Sequence, residues 1–472
     1  MSGTARTVFL AGGKLTLAEA LAVAPGEIVA FTGAGGKTAA LLRLADELVA
    51  RGGRVLVTTT AHIYPPTGKC SDCIVEDCLA ALLAAASVAL ERNSRVVVAR
   101  GVDADGKLVG IEPAWVEELR ARLPITNLLV EADGSRGKPF KAPAGHEPVI
   151  PPATDLVVPV VGLSAIGYQI SSGLVHRPEQ VARLAEAQPA DTISPAVVAK
   201  VLWHPEGSAK GAPSGARIVP LLNQADDEER CEAGRQIARL LLQQGAGRIV
   251  LAALRQPAPV REIAVTIPAA KVAKPGAAVS AIVLAAGQAR RMGALKLALP
   301  LGPQSVLRHV VEAALASPVD EVVVVLGHGA AELTAELPKH SRVRPVYNPQ
   351  FAQGQSTSVR AGINALPSEV EGAIFLLGDQ PLVRPETIAA LVATFRSYPA
   401  PIVQPLYHGI PGNPVLFART LFPELLQVTG DRGGRELLDT HRREMAAVDL
   451  NLEAPEDIDT REDYDKITDR FR

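Results

Sequence analysis

Short apolar runs alternate with amphipathic segments along almost the whole chain. In the first part, runs at 27–32, 54–58, 95–99, 127–132, 155–161, 217–222 and 248–252 predict strands, and helical periodicity at 37–51 and 79–90 predicts helices between them. The strand runs are apolar throughout rather than at every second position, the pattern of parallel strands covered on both faces. A second series starts at 279, with strands predicted at 279–285, 321–326, 343–347, 372–377 and 401–405, and helices at 305–316, 356–366, 384–396 and 433–441. Between the series, residues 268–278 carry two prolines, small side chains and no periodicity, and read as a linker. The expectation is two α/β domains, 1–267 and 279–472, the first with helices on both faces of its sheet.

Composition narrows the class. A chain of 472 residues exceeds one ordinary core. Its 47% hydrophobic and 21% charged residues are globular proportions. The formal net charge of −2 provides no global field for nucleic acid or anionic membrane, so any phosphate affinity is local. The longest apolar candidate, 78–90, falls short of the roughly 20 residues a membrane span needs. The N-terminus lacks a basic segment followed by an apolar core, and four cysteines make no disulfide framework, so a cytoplasmic location is expected. Cys70, Cys73 and Cys78 supply three sulfurs that Cys231 or His62 would have to complete as a metal site; a loop with incidental thiols is the simpler reading.

Three features of the second series converge on nucleotide chemistry. Residues 284–296 read Leu-Ala-Ala-Gly-Gln-Ala-Arg-Arg-Met-Gly-Ala-Leu-Lys directly after a strand. Small residues there let backbone N–H groups approach phosphates, and Arg291 and Lys296 add charge. Asp379 follows the apolar run 372–377, at the carboxyl end of a strand where open α/β sheets bind ligands, and is placed to hold Mg²⁺. Asp457 and Asp459, two positions apart, offer a second metal ligand, with no basis for choosing between them. Each feature alone is ordinary: a turn, a helix cap, a solvated acid pair. In this order on one alternating domain they point to nucleotidyl transfer.

This part resembles the molybdenum cofactor cytidylyltransferase family. The resemblance is carried by Leu284, Ala285, Ala286 and Gly287, by Arg291, Met292, Gly293 and Lys296, by Gly378 to Pro381, by Asn348, Gly354, Ser356 and Ser358, by residues 430–433, and by 457–464. It implies a nucleotide-diphospho-sugar-transferase-like, Rossmann-like domain. The implied reaction is CMP transfer from CTP to molybdopterin carrying molybdenum, with Mg²⁺ and with Arg291, Lys296 and Asp379 as catalytic groups. Nucleotide contacts fall to Leu284–Gly287, Met292, Gly293, Asn348, Ser356, Ser358 and Gly378. Ala286 stands where guanylyl-transferring relatives carry Gly, so its Cβ is a candidate for base or ribose discrimination. Ala289 and Asn413 depart from the family pattern, where Ser and His are common. A guanylyltransferase, another nucleotidyltransferase, and a non-catalytic cofactor chaperone or insertion factor are the alternatives.

In the first series, Gly33-Ala-Gly35-Gly36-Lys37-Thr38 follows a strand and opens a helix, a phosphate cradle shorter than the standard loop, since Phe31 occupies the position of its first glycine. Asp133 ends a later apolar strand and is the expected partner of Thr38 in holding Mg²⁺. Asn223 and Asp226 resemble the guanine-reading pair of GTPases, although both are also common turn formers. Thr58–Thr60 are open to two readings, γ-phosphate contacts or a strand end. His146 and Glu147 are either catalytic or loop caps. Residues 15–250 resemble the YqeC-like accessory family of selenium-dependent hydroxylases through 33–38, 58–60, 65–66, 131–136, 141–143, 146–148 and 176–178. That resemblance implies a P-loop-type unit binding ATP or GTP, with NTP hydrolysis a further option. It also implies a role in maturing a molybdenum hydroxylase client.

Overall fold

The computed structural model describes residues 6–13, 15–65, 73–267, 277–287, 295–398, 400–430, 434–441, 444–450 and 452–471. Arg291, Met292, Gly293, Cys70 and most of the expected linker lie outside them. The chain divides into two compact units, Gly12–Val265 and a second that joins Met1–Ala11 to Thr266–Arg472.

The unit Gly12–Val265 is built on a parallel sheet. Its order runs Cys73–Val75, Arg95–Ala99, Val55–Thr59, Asn127–Glu131, Ile28–Gly33, Leu156–Gly162, Leu221–Asn223, Arg248–Ala252, followed by an antiparallel neighbour, Val260–Ile267. The central strands are buried along their full length, as apolar runs without alternation require. Helices unmarked in the apolar pattern also appear, notably Glu228–Gln243, whose N-terminus Asp227 caps by accepting from Arg230 N. One core cluster packs Leu82, Leu90, Val116 and Leu119 onto Leu56, Val96 and Leu128.

The second unit has a mixed sheet. Val343–Tyr347, Glu321–Leu326, Ala278–Ala285 and Val370–Leu377 are parallel neighbours. Val415–Ala418 then pairs antiparallel with both Val370–Leu377 and Ile402–Tyr407, and Ala446–Leu450 lies parallel to the latter. Arg6–Ala11 also joins this sheet, antiparallel to Ala446–Leu450 with Val8 opposite Val448. Residues 6–11 thus depart from the expected boundary 1–267 and belong to the sheet of the second unit. Val8 and Phe9 are buried there, a pairing across more than four hundred residues that local periodicity does not encode. No helix among the described residues is long and apolar enough to cross a membrane.

Ala446–Leu450 precedes Asp457 and Asp459 in the chain, and Arg6–Ala11 flanks that strand. Burying Val8 and Phe9 stabilises the unit by about 1.5–3 kcal/mol per side chain. Removing residues 1–11 is expected to lower both the melting temperature of the second unit and its nucleotidyl transfer; calorimetry with a pyrophosphate-release assay checks it, and wild-type values in both would refute the dependence.

Candidate active sites

In the second unit, the strand Ala278–Ala285 ends at Ala286 and Gly287, and Val370–Leu377 ends beside it, with Gly378 N donating to Leu284 O at 3.0 Å. A Cβ on Gly378 would lie 3.0 Å from that carbonyl, so a larger residue would crowd the meeting of the two strand ends. Asp379 and Lys296 then converge: Lys296 Nζ donates to Asp379 Oδ2 at 2.7 Å, to Ile458 O at 2.8 Å and to Asp459 Oδ1 at 3.2 Å. Burial works against the charge of Lys296, but Asp379 and Asp459 outweigh it and hold its pKa above the usual lysine value.

The two acids left open by the sequence play different parts. Asp457 accepts from Gln380 Nε2 at 2.7 Å, and burial, reinforced by Asp379 and Asp459, raises its pKa. Asp459 instead shares the Lys296 ammonium with Asp379. Asp463 secures the segment by accepting from Asp459 N and Thr460 N, while Thr460 caps the helix Arg461–Thr468. Ile458 N donates to Asp379 O at 3.0 Å, which ties the two loops together.

A cavity of about 560 Å³ opens beside this cluster, lined by Leu284, Ala286, Gly287, Lys296, Phe351, Gln353, Gln355, Ser358 and Asp379 among others. Ala286 and Phe351 form one wall of it. A Cβ on Gly327 would lie 2.6 Å from Phe351 Cβ and 2.9 Å from Ala286 Cβ, so the glycine is what lets both approach. Of the other residues expected to bind nucleotide, Ala285 is buried in the strand end and Ser356 in a helix, neither lining the cavity. Asn348 is occupied: it donates to Thr357 Oγ1 (2.8 Å) and Ser358 Oγ (3.0 Å) and accepts from Gln350 N (3.0 Å). It therefore positions Ser358 and the cavity wall rather than facing the cavity.

The first unit gathers its charges at the carboxyl edge of its sheet. Gly33 and Gly35 have φ of +85° and +87°. A Cβ at Gly35 would lie 2.1 Å from Gly162 N, and one at Gly33 would lie 2.3 Å from Val160 O, so only glycine fits. Lys37 folds back, its Nζ 2.8 Å from Gly33 O, 3.3 Å from Asp133 Oδ1 and 3.6 Å from Glu131 Oε1. Thr38 Oγ1 donates to Glu131 Oε2 at 2.7 Å. Thr38 thus hydrogen-bonds Glu131 rather than Asp133, the acid expected beside it, and burial raises the Glu131 pKa. Asp133 is enclosed, accepting from Gly33 N at 3.0 Å and Lys141 Nζ at 2.8 Å. Asn223 ties the loop down through Gly35 O at 2.7 Å, whereas Asp226 lies beside Arg230 at 3.4 Å. The hydroxyls of Thr58, Thr59 and Thr60 donate to Val98 O, Glu131 O and Val149 O, which favours the strand-end reading.

The sequence marked Lys141 and Arg177 only as points of resemblance, and Glu147 as either catalytic or a loop cap. Lys141, fully buried, bridges Asp133 and Glu147, donating to Glu147 Oε2 at 2.8 Å and to Gly134 O at 2.7 Å. Arg177 grips Glu147 from the other side at 2.7 and 3.3 Å. Although burial opposes it, Arg177 and Lys141 bring Glu147 down to about 2. His176 falls to about 4 through burial and the cations Arg177, Lys141 and Arg136. Both folded values lie below the ordinary ones. Each group therefore contributes stability above its ordinary pKa, near 6.5 for His176 and 4.5 for Glu147, and loses it as pH falls toward the folded value. The first unit should destabilise progressively below about pH 6.5, and Glu147→Gln should remove the part below about pH 4.5. Thermal melts at stepped pH check this; a flat profile from pH 7 to 3 would contradict it.

Cys231 is buried, and its thiol donates to Ala225 O at 3.7 Å. His62 is paired with Asp103 instead. Among the described residues no group of three or more His, Cys, Asp or Glu is placed to hold a metal ion.

Residues 29–179 match the family described as YqeC protein, and residues 281–445 the MobA-like NTP transferase domain. The uncharacterized protein YqeC of Escherichia coli (strain K12) is 34% identical over 229 residues, covering 48% of this chain and 88% of that protein. The chain belongs to the YqeC family and carries a MobA-like NTP transferase domain. For the MobA-like part, the purine catabolism protein PucB of Bacillus subtilis (strain 168) is 33% identical over 202 residues, 39% of this chain and 94% of that protein. The molybdenum cofactor cytidylyltransferase of Escherichia coli (strain K12) is 29% identical over 197 residues, 41% of this chain and 97% of that protein. The MobA-like domain makes the C-terminal part a nucleotidyltransferase.

Proposed function

We propose that the MobA-like domain transfers CMP from CTP to molybdopterin carrying molybdenum, and that the YqeC unit binds ATP or GTP in support of hydroxylase maturation. The observation that carries the first part is the meeting of Lys296 and Asp379, joined by Asp459, in a cavity also lined by Ala286 and Gly287. The terminal phosphate oxygen of the pterin attacks the α-phosphorus of CTP, the bond to the bridging oxygen breaks, and pyrophosphate leaves. No protein nucleophile is needed. The chain's residues position the reactants and neutralise charge, Lys296 from one side of the cavity and the backbone of Ala286 and Gly287 from another.

Magnesium fits this donor set. Asp379 and Asp459 present carboxylate oxygens to one cation, here the Lys296 ammonium, and Mg²⁺ takes one or two carboxylates plus substrate phosphates. When bound it would add Lewis-acid stabilisation of the phosphates. In the YqeC unit, Thr38 and Glu131 offer the corresponding oxygen donors, while Asp133 is held by two lysines.

Incubating the full chain with molybdenum-loaded molybdopterin and each of the four NTPs, then weighing the products by mass spectrometry, tests the reading. A pterin cytosine dinucleotide supports it; a guanine product, or none, overturns it. Ala286→Gly should widen the base site and raise the GTP-to-CTP ratio of kcat/KM by roughly tenfold, the scale of one small group in an apolar pocket. An unchanged ratio would remove Ala286 from base selection.

A further inference from the structure

The carboxyl edge of the YqeC unit holds more positive charge than its phosphate loop uses. Its three acids are matched: Asp133 by Lys37 and Lys141, Glu131 by Lys37, and Glu147 by Lys141 and Arg177. Two cations on the same rim are unmatched. Arg136 is exposed and makes no hydrogen bond or ion pair among the described residues, and Lys138 donates through Nζ only to Gly173 O.

This rim is joined to the phosphate loop. Gly35 N donates to Lys138 O at 3.0 Å, and Gly162 N donates to Pro139 O at 2.8 Å. The strands Phe140–Lys141 and Val175–His176 pair in parallel, which sets His176 opposite Lys141 and brings Arg177 to the same wall. Arg136 and Arg177 both adopt left-handed backbone conformations, φ +50° and +62°. Non-glycine residues are held there at a cost of about 1–3 kcal/mol and cluster at ligand clamps. Both arginines, together with burial and Lys141, depress the protonation of His176.

We infer that Arg136, Lys138 and His176 form a second anion subsite beside the phosphate loop, taking the phosphate of a phosphate-monoester co-substrate. The YqeC unit is then a two-substrate site: nucleotide on Gly33–Thr38, and an anionic acceptor or effector on the adjoining rim. Locally unmatched guanidinium and ammonium groups on a fixed backbone suit a tetrahedral dianion, which takes charge-assisted hydrogen bonds from several directions. The inference rests on reading Gly33–Thr38 as a nucleotide cradle, and its test separates the two.

The test is calorimetric titration of orthophosphate into the full chain saturated with Mg²⁺ and a non-hydrolysable ATP analogue, in wild type, Arg136→Gly, Arg136→Lys and Lys37→Ala. Glycine adopts the left-handed conformation of position 136 without strain, so Arg136→Gly preserves the backbone. Expected are a saturable phosphate site, weakening of at least tenfold in Arg136→Gly, partial rescue in Arg136→Lys, and analogue affinity unchanged in both. Lys37→Ala should lose the analogue and keep the phosphate site. Phosphate binding equal in wild type and Arg136→Gly overturns the subsite. Phosphate that merely competes with the analogue also overturns it. An analogue unaffected by Lys37→Ala overturns the cradle instead.

Discussion

Asp379→Ala should lower pyrophosphate release from the chain's nucleotide substrate by about 10²–10³-fold in kcat, and Lys296→Met by a similar factor. The geometry explains why the losses are alike. Asp379 Oδ2 and Lys296 Nζ are 2.7 Å apart, and Asp459 shares the same ammonium, so the three act as one charged unit. Removing Lys296 takes away a cation that would face the developing negative charge and leaves two carboxylates without their counter-ion. Removing Asp379 frees Lys296 and takes away a candidate metal ligand. Residues acting as a unit are not additive, so the double variant should lose little more than either single one. Gln380→Ala should act more gently: it frees Asp457, whose raised pKa reports a carboxylate already crowded by Asp379 and Asp459. A steady-state pyrophosphate assay on the four variants and the wild type checks the set. Asp379→Ala within threefold of wild type would remove the cluster from the chemistry, and a double variant at the product of the two losses would show independent roles.

The features that could be read in the sequence were those written locally. The apolar runs at 127–132 and 321–326 became the strands Asn127–Glu131 and Glu321–Leu326, because a strand buried on both faces must be apolar at every position. Ser305 opens the helix Val306–Leu315 as its polar side chain implies, accepting from Arg308 N. The candidate transferase cluster was legible for the same reason, since Asp379 ends a strand and its neighbour ends in a small-residue turn. What stayed hidden depends on distance along the chain. Residues 6–11 have an ordinary composition, and their partner lies at 446–450. The difference between Asp457 and Asp459 is set by Gln380 and Lys296, each far away in sequence. The exchange of Asp133 for Glu131 at Thr38 has a different origin. Glu131 ends the strand and Asp133 lies two residues beyond it, and the one that meets Thr38 is decided by which carboxylate Lys141 and Gly33 N already occupy.

Lys141→Met should be the most destabilising single change in the YqeC unit. The Lys141 side chain is fully buried and gives its three protons to Asp133, Gly134 O and Glu147, all within 2.8 Å. Methionine fills similar space, so the effect isolates charge. It leaves Asp133 fully buried beside Lys37 alone and leaves Glu147 with Arg177 alone. Removing one partner of a buried ion pair costs about 3–5 kcal/mol, because the remaining charge is stranded in a poor solvent. For a unit of this size that corresponds to a drop on the order of 10 °C in melting temperature. Pairing the change with Asp133→Asn removes the stranded charge and should recover part of the loss. The same argument reaches the proposed phosphate loop, Gly33–Thr38. Without Lys141, Asp133 must draw its neutralisation from Lys37, which is then held away from any incoming phosphate, so Lys141→Met should weaken nucleotide binding even at temperatures where the unit stays folded. Calorimetric melting together with nucleotide titration at 15 °C separates the two effects. Melting within a degree of wild type would show that Lys141 does not hold the network, and undiminished nucleotide affinity in a folded variant would show that Asp133 does not compete with phosphate for Lys37.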